Sequence, residues 1–517
     1  MKFLHVKRLL AAVLAGCLLT GCTLTERIGT GNGSDEQLEI MDEHEAGYFG
    51  LAYYTGEKVN PVLSTSHINR VLTEALYEGM FYLDSKFQPQ PMLCESWEGD
   101  GTTFTFRLKQ GVTFWSGEEL TADDVVYSLR AAKANEASPY YSRMADVKSI
   151  FADDTYTVGV VLRTPNMDFP RLMDIPIFRE GTEEETFADG TGAYQPVHDE
   201  GAWYLAPYTG WHGGSVGTFE RIDLVNTTRS DAVAHAFETG DVSLTRVERI
   251  GTNPVTISGS VDLHQTPTTN LHYLGFGCAA GPFSLPEVRK AVSLLIAREN
   301  ICSTTFQSFA DPAVLPVNPQ PDSVETSAGS DREAAAAALA QAGIADTNGD
   351  GVLDYDNGAG GRTDLRPVIL VNSENSFKTA AAQQIADALL TAGIPATVEA
   401  VPFEDYIARL SGGMFDLYYG EVKMSPDFDL RALIGTAGAM NYGKYSNQDT
   451  DWLIQQMRAA GTEEARETLN TQFLKEMPIA PIAFTRDQVV VRSGLITGFN
   501  PSPYWLFHGV AGWRRSS

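Results

Sequence analysis

Apolar and polar positions recur along this chain with two periods, and the period names the element. Thr121-Ala-Asp-Asp124 precedes apolar residues at Val125, Val126 and Leu129, which predicts a helix whose Thr and Asp cap its first turn reciprocally. Ser284-Leu-Pro-Glu287 predicts the same for a helix through Val288, Ala291 and Leu295, with Pro286 tolerated in the first turn. Ser330-Asp-Arg-Glu333 caps an alanine-rich helix that stops at Gly343. Between Pro367 and Val401 the order is a strand at 368–371, a helix at 377–390 stopped at Gly393, and a strand at 397–401, the spacing of a βαβ crossover in a parallel sheet. The run 104–108, followed by Gly111 and 112–114, predicts a hairpin. Together these elements predict a mixed α/β architecture.

The amino terminus follows a different pattern. Lys2, Lys7 and Arg8 stand without an acid before an apolar stretch at 9–19, the n-region and h-region of an export signal. That stretch is too short to span a bilayer as a stable helix. It ends at Leu19-Thr20-Gly21-Cys22, which looks like a bacterial lipobox, where a peptidase cuts before Cys22 and the thiol carries a diacylglycerol. Each buried acyl methylene adds ~0.8 kcal/mol, so two or three chains make a stable anchor. Leu14-Ala15-Gly16-Cys17 fits the same pattern, but cutting there shortens the h-region and leaves Leu18 and Leu19 on the mature end. An ordinary secretory signal with an incidental Cys is the alternative. The expectation is a signal at 1–21, a Gly-rich tether at 22–39, and an extracytoplasmic protein held on the membrane through Cys22.

Composition narrows the function. With 517 residues, 43% hydrophobic and 20% charged, the chain can bury large cores, and at about 150 residues per domain it has length for roughly three or four domains. Lys plus Arg total 38 against 66 Asp plus Glu, a formal charge of −28, and removing the three bases of the signal takes the mature chain to −31. Nucleic acid is an unsuitable partner, because phosphate neutralisation needs a basic face. Cys94, Cys278 and Cys302 remain after the two amino-terminal cysteines, an odd number without CxxC spacing, and read as small buried apolar residues.

Two motifs invite chemistry. Asp346, Asn348, Asp350, Gly351, Val352 and Asp354 fit the first nine positions of a calcium loop, but Asn357 at position twelve cannot supply a bidentate carboxylate, so a plain turn is preferred. Gly213-Gly-Ser-Val-Gly217 fits the G-x-S-x-G of a serine hydrolase, which needs a strand before Ser215 and a helix after it. Here Trp211-His212 precede it and 219–225 reads as a strand, which favours a turn over catalysis. The nine His residues lack ligand spacing, and no metal or other cofactor is expected.

Several segments in order resemble one family. Asn60-Pro-Val-Leu-Ser-Thr, Tyr77-Glu-Gly-Met80 with Asp84 and Pro89, and Leu93-Cys-Glu-Ser-Trp97 come first. Asp100-Gly-Thr-Thr-Phe-Thr-Phe106, Gly111-Val-Thr-Phe114 and Leu120-Thr-Ala-Asp-Asp-Val-Val126 follow. Gly190-Thr-Gly-Ala-Tyr194, Val288-Arg-Lys-Ala-Val292 and Asp346-Thr-Asn-Gly-Asp-Gly351 extend the likeness. The chain resembles the family 5 solute-binding proteins of ABC importers, the oligopeptide, dipeptide and nickel-binding type. The resemblance implies a type II periplasmic-binding-protein-like fold of two hinged lobes and three domains. Carried over, lobe 1 comprises 40–61, 172–270 and 485–517, the inserted domain 62–171, and lobe 2 271–484. It also implies a monomeric, non-enzymatic receptor that closes on a peptide and hands it to a membrane permease. The rival solutes are a nickel chelate, an oligosaccharide or an opine. Two Tyr-rich stretches would flank the ligand: Tyr53, Tyr54 and Thr55, then Tyr418, Tyr419 and Gly420. Peptide-binding relatives continue with a Trp and an Asp followed by an aromatic, whereas this chain has Glu421, Asp427 and Asp429 as carboxylates for a ligand ammonium.

Overall fold

Alternating strands divide their apolar side chains between two large cores. The structure, a computed structural model, describes residues 47–216, 218–318 and 329–516, so the expected signal, tether and Cys22 lie outside the described residues. One four-stranded sheet sets Gly50–Tyr53 parallel to Ile222–Asn226, then adds Ala202–Pro207 and Tyr194–Asp199 antiparallel. The chain between the first two of these strands builds a second, wholly antiparallel sheet in the order Cys94–Gly99, Thr103–Leu108, Thr157–Leu162, Val147–Asp154. A seven-stranded mixed sheet carries the carboxy-terminal half.

Two long strands tie the parts together. Val261–Phe276 and Ile479–Arg492 pair antiparallel along nearly their whole length, with a register shift between Pro267 and Leu271. Their outer ends lie beside Leu244–Glu248, and their inner ends beside Leu417–Lys423. One core draws on residues from Phe49 to Ile222, on Leu244, Val489 and Val491, and on Leu495 to Trp513. The other draws on Leu271 to Phe484, with Leu83, Phe87 and Ile250. The returning strand therefore leaves one core at Phe484 and enters the other at Val489. Each fully buried Leu, Val or Phe contributes roughly 1.5–3 kcal/mol, so each core is stable ground for the groups at its edge.

Most of the predicted elements form, with informative shifts. The helix Ala122–Ala134 has the reciprocal Thr121 and Asp124 cap, and Val368–Asn372, Ser376–Leu390 and Thr397–Val401 make the parallel crossover. The helix Pro286–Leu295 starts one residue later than its predicted cap, because the Ser284 hydroxyl donates to the Gly281 carbonyl in a preceding turn. The helix Arg332–Gln341 is capped by Asp331, whose carboxylate accepts from the Ala334 N–H, in place of Ser330. The predicted hairpin does not form. Phe104, Phe106 and Leu108 are buried from a strand whose neighbours are Cys94–Gly99 and Thr157–Leu162, while 111–120 closes its own loop through Leu120 N–H to Val112 O.

Candidate functional site

Where the crossing strands pass between the cores, two adjoining cavities of about 500 and 440 Å³ share Arg70, Arg246, Lys423 and Asp487 in their walls. The helix Asn69–Leu76 supplies Arg70 and Glu74. It buries Asn69, Leu72, Ala75 and Leu76, which turns the charged positions toward the cavity. Its entry is fixed by the Ser66 hydroxyl, which accepts from the Asn69 N–H, and by the Asn69 amide, which exchanges two hydrogen bonds with the Tyr54 backbone. Arg246 comes from Leu244–Glu248 and Asp487 from the returning crossing strand. Lys423 ends the strand Leu417–Lys423, opposite Asn270, and Met424, Ser425 and Pro426 continue the wall.

Most charges in the larger cavity are paired. Arg143 pairs with Asp174, and Arg246 grips Glu74 with two hydrogen bonds of 2.7 and 3.4 Å while its Nε stands 4.0 Å from Asp487. Burial raises the carboxyls of Glu74, Asp174 and Asp487 against their guanidinium partners. Arg70 and Lys423 differ: among the described residues, no carboxylate comes within 4.0 Å of either head group. Lys423 is open to water inside the cavity yet ringed by protein. That setting, with Arg70 and Arg143 nearby and Asp487 only partly offsetting them, pushes its ammonium down to about 8. On the side of the smaller cavity Glu248 is pushed up by burial and by Glu421 and Asp487.

The nine residues expected at the ligand stand around this cavity without lining it. Tyr53 is buried with its ring against Phe187, Tyr54 has its backbone held by Asn69, and Thr55 donates to Asn226. Tyr418 packs on Tyr273, and Tyr419 hydrogen-bonds His272 at 3.2 Å, both inside the second core. A Cβ on Gly420 would meet the Tyr273 ring at 2.4 Å. Glu421 already has a protein ammonium, Lys378 at 2.5 Å, with His272 at 3.8 Å; against burial, these two hold its carboxyl below the ordinary value. Asp427 accepts from Ser425 and Asn166, and Asp429 from Arg431 and Arg458. The sequence reading did not include Lys423, which lines the cavity two residues beyond Glu421. Period-two alternation from Tyr419 through Glu421 was the available signal. Arg70 and Arg246 carried no comparable signal.

The other candidates resolve into local structure. Asp346 accepts from the backbone N–H of Gly349, Asp350 and Gly351, Asp350 from Val352, and Asn348 donates to Asp350. Asp354 is occupied by Thr347 and Arg362. The donor set of the calcium-like loop is thus spent on the turn itself. Among the described residues no group of three or more His, Cys, Asp or Glu is arranged to hold a metal ion. Ser215 is exposed in the loop between Ala202–Pro207 and Ile222–Asn226, with no helix behind it and with His212 engaged by Glu78. Cys94, Cys278 and Cys302 are free thiols that burial raises to about 12, 11 and 12, so none is a ready nucleophile. No described helix is long and apolar enough to cross a membrane.

Two cores bridged by paired strands, with a polar cavity between them, define a type II periplasmic-binding-protein-like fold. Residues 88–438 match bacterial extracellular solute-binding proteins, family 5 (Middle), and the chain belongs to that family. Among curated relatives, the glutathione-binding protein GsiB of Escherichia coli strain K12 is 23% identical over 281 residues, which is 50% of this chain and 54% of GsiB. The chain thus spans about half the length of the curated relatives it matches. Among solved structures, a nickel ABC transporter protein from Bacillus halodurans aligns with a TM-score of 0.71 at 21% identity, covering 89% of this chain and 98% of that one. The oligopeptide-binding protein AppA of Bacillus subtilis, in complex with a nonapeptide, aligns at 0.59 and 18% identity, covering 91% and 99%. At these identities the structures speak for the fold.

Proposed function

We propose that this protein is a non-enzymatic receptor that captures a peptide between its two cores and delivers it to the permease of an ABC importer. One observation carries the reading: a water-accessible, charge-lined cavity of about 500 Å³, in the size range of small-ligand sites, lies where paired strands bridge two separate cores. Lobe boundaries at 271 and 484 place that cavity at the hinge, with 62–171 as an inserted domain of the first lobe. Closure then stabilises the loaded form by the difference in affinity between open and closed states. A diacylglycerol on Cys22 would hold the receptor at the extracytoplasmic face of the membrane as a monomer. Two of the relatives' names support a peptide, since glutathione and a nonapeptide are both peptides, while the third names nickel, a rival solute.

Thermal shift across peptide pools, nickel–histidine, oligosaccharides and opines tests this. Stabilisation by a peptide pool at micromolar concentration is expected. Stabilisation only by a non-peptide solute would transfer the receptor role to that solute, and a hydrolysis abolished by Ser215→Ala would overturn it.

A further inference from the structure

Charge pairing in the cavity leaves a specific remainder. The Arg143–Asp174 and Arg246–Glu74 pairs cancel within the wall, and Asp487 stands at 4.0 Å from Arg246. Beyond these pairs stand the guanidinium of Arg70 and the ammonium of Lys423, each lining both cavities without a direct ion pair, together with the carboxylates of Asp487 and, in the smaller cavity, Glu248. The two cations come from opposite bodies. Arg70 rides on the helix Asn69–Leu76, whose Leu72, Ala75 and Leu76 belong to the first core. Lys423 ends a strand whose Leu417, Tyr418 and Tyr419 belong to the second.

Like charges lining one low-dielectric cleft repel, and Asp487, which makes no direct ion pair with either, relieves this only in part. A compact anion between them removes that repulsion and satisfies donors from both sides. A carboxylate suits the pair, because the Arg fork matches its two oxygens and Lys adds a point charge. On the reading of the protein as a solute receptor, we infer that Arg70 and Lys423 form the seat for a carboxylate of the solute, which draws the two bodies together. Burial first, and then Arg70 and Arg143, lower the basicity of Lys423, as expected of an ammonium that has no direct carboxylate partner.

The carboxylate has two chemical sources, a peptide C-terminus or the chelating ligand of a metal complex, and one experiment separates them. The full chain is titrated by thermal shift with pools of di- and tripeptides as free acids, with the same pools as C-terminal amides, and with nickel–histidine. The free acids are expected to bind at least about tenfold more tightly than the amides, the difference a charge-assisted hydrogen bond makes. Lys423→Gln and Arg70→Gln should each erase that preference and Lys423→Arg retain it, with the unliganded melting temperature of the Gln variants unchanged or raised. Equal stabilisation by acids and amides, or a preference that survives both Gln variants, overturns the seat while leaving the receptor reading intact. Stabilisation by nickel–histidine alone, lost in the Gln variants, keeps the seat and removes the peptide. Stabilisation by none of the three removes both.

Discussion

Two charged surfaces join the same two bodies, and they are resolved in opposite ways. At the outer seam Asp146 accepts from Arg431 and, at 2.8 Å, from Arg458, which also reaches Asp429 at 2.5 Å. Beside them Arg466 meets Asp168 at 2.7 Å, the Asn166 amide donates to Asp427 at 2.8 Å, and the Met167 N–H donates to the Arg458 carbonyl. These cations face carboxylates across the seam. In the cavity, Arg70 and Lys423 approach from the two sides with no carboxylate assigned to them among the described residues. The seam is complete as direct ion pairs, whereas Arg70 and Lys423 in the cavity make none with the described residues. Complementary charge across the seam favours contact of the bodies, and like charge in the cavity opposes it until a ligand arrives.

The sharpest way to break this contrast is at Arg458, which is 3% exposed and serves three carboxylates. Arg458→Ala is expected to cost about 3 kcal/mol in urea unfolding, because Asp146, Asp427 and Asp429 lose their common partner. A loss below about 1 kcal/mol would show that the seam is decorative. The double-mutant cycle of Asp168→Ala with Arg466→Ala should follow, with a coupling near 1 kcal/mol for this partly exposed pair. Lys423→Gln and Arg70→Gln should lower unliganded stability by no more than about 0.5 kcal/mol, and relief of repulsion can raise it, since both are exposed and neither has a direct partner to orphan. A destabilisation as large as that of Arg458→Ala would erase the distinction between the two surfaces.

The smallest expected effect is in pH dependence. Arg70, Arg143, Arg246, His67, Asp174, Glu248 and Asp487 all act on Lys423 or are acted on by it. Its folded pKa lies below the ordinary 10.5, near 8, so between those values the unfolded chain binds the extra proton and stability of the unliganded protein rises with pH. Affinity for a carboxylate runs the other way and falls as pH passes through 8. Lys423→Gln should flatten both slopes in thermal melts and titrations taken from pH 7 to 10.

How far this was legible in the sequence depends on range. Helices and the parallel crossover follow from local period and caps, and so were readable, with shifts of a residue where Ser284 and Ser330 had alternatives nearby. The hairpin failed because Thr103–Leu108 turns back on Cys94–Gly99 through 100–102 and takes Thr157–Leu162 from distant sequence on its other edge, which leaves no edge for 112–114. At the site, the family resemblance implied that Tyr418 and Tyr419 flank the ligand. The strand Leu417–Lys423 instead has both edges paired, by Val261–Phe276 and Val368–Asn372, and 417–420 are buried on both faces, with exposure rising toward Lys423. Glu421, Asp427 and Asp429 looked available for a ligand ammonium, since nothing local reveals that Lys378, Asn166 and Arg458 reach them from other elements. The pairing of distant charges decides which are left over, and it is set by the tertiary fold.

Hydrogen exchange of the full chain, with and without a saturating free-acid tripeptide, tests the central claim most directly. Binding between the bodies predicts slowed exchange on both walls at once, at 79–83 and at 423–425, with the calcium-like loop at 346–354 unchanged. Protection of one wall alone, or of the loop and neither wall, would contradict it.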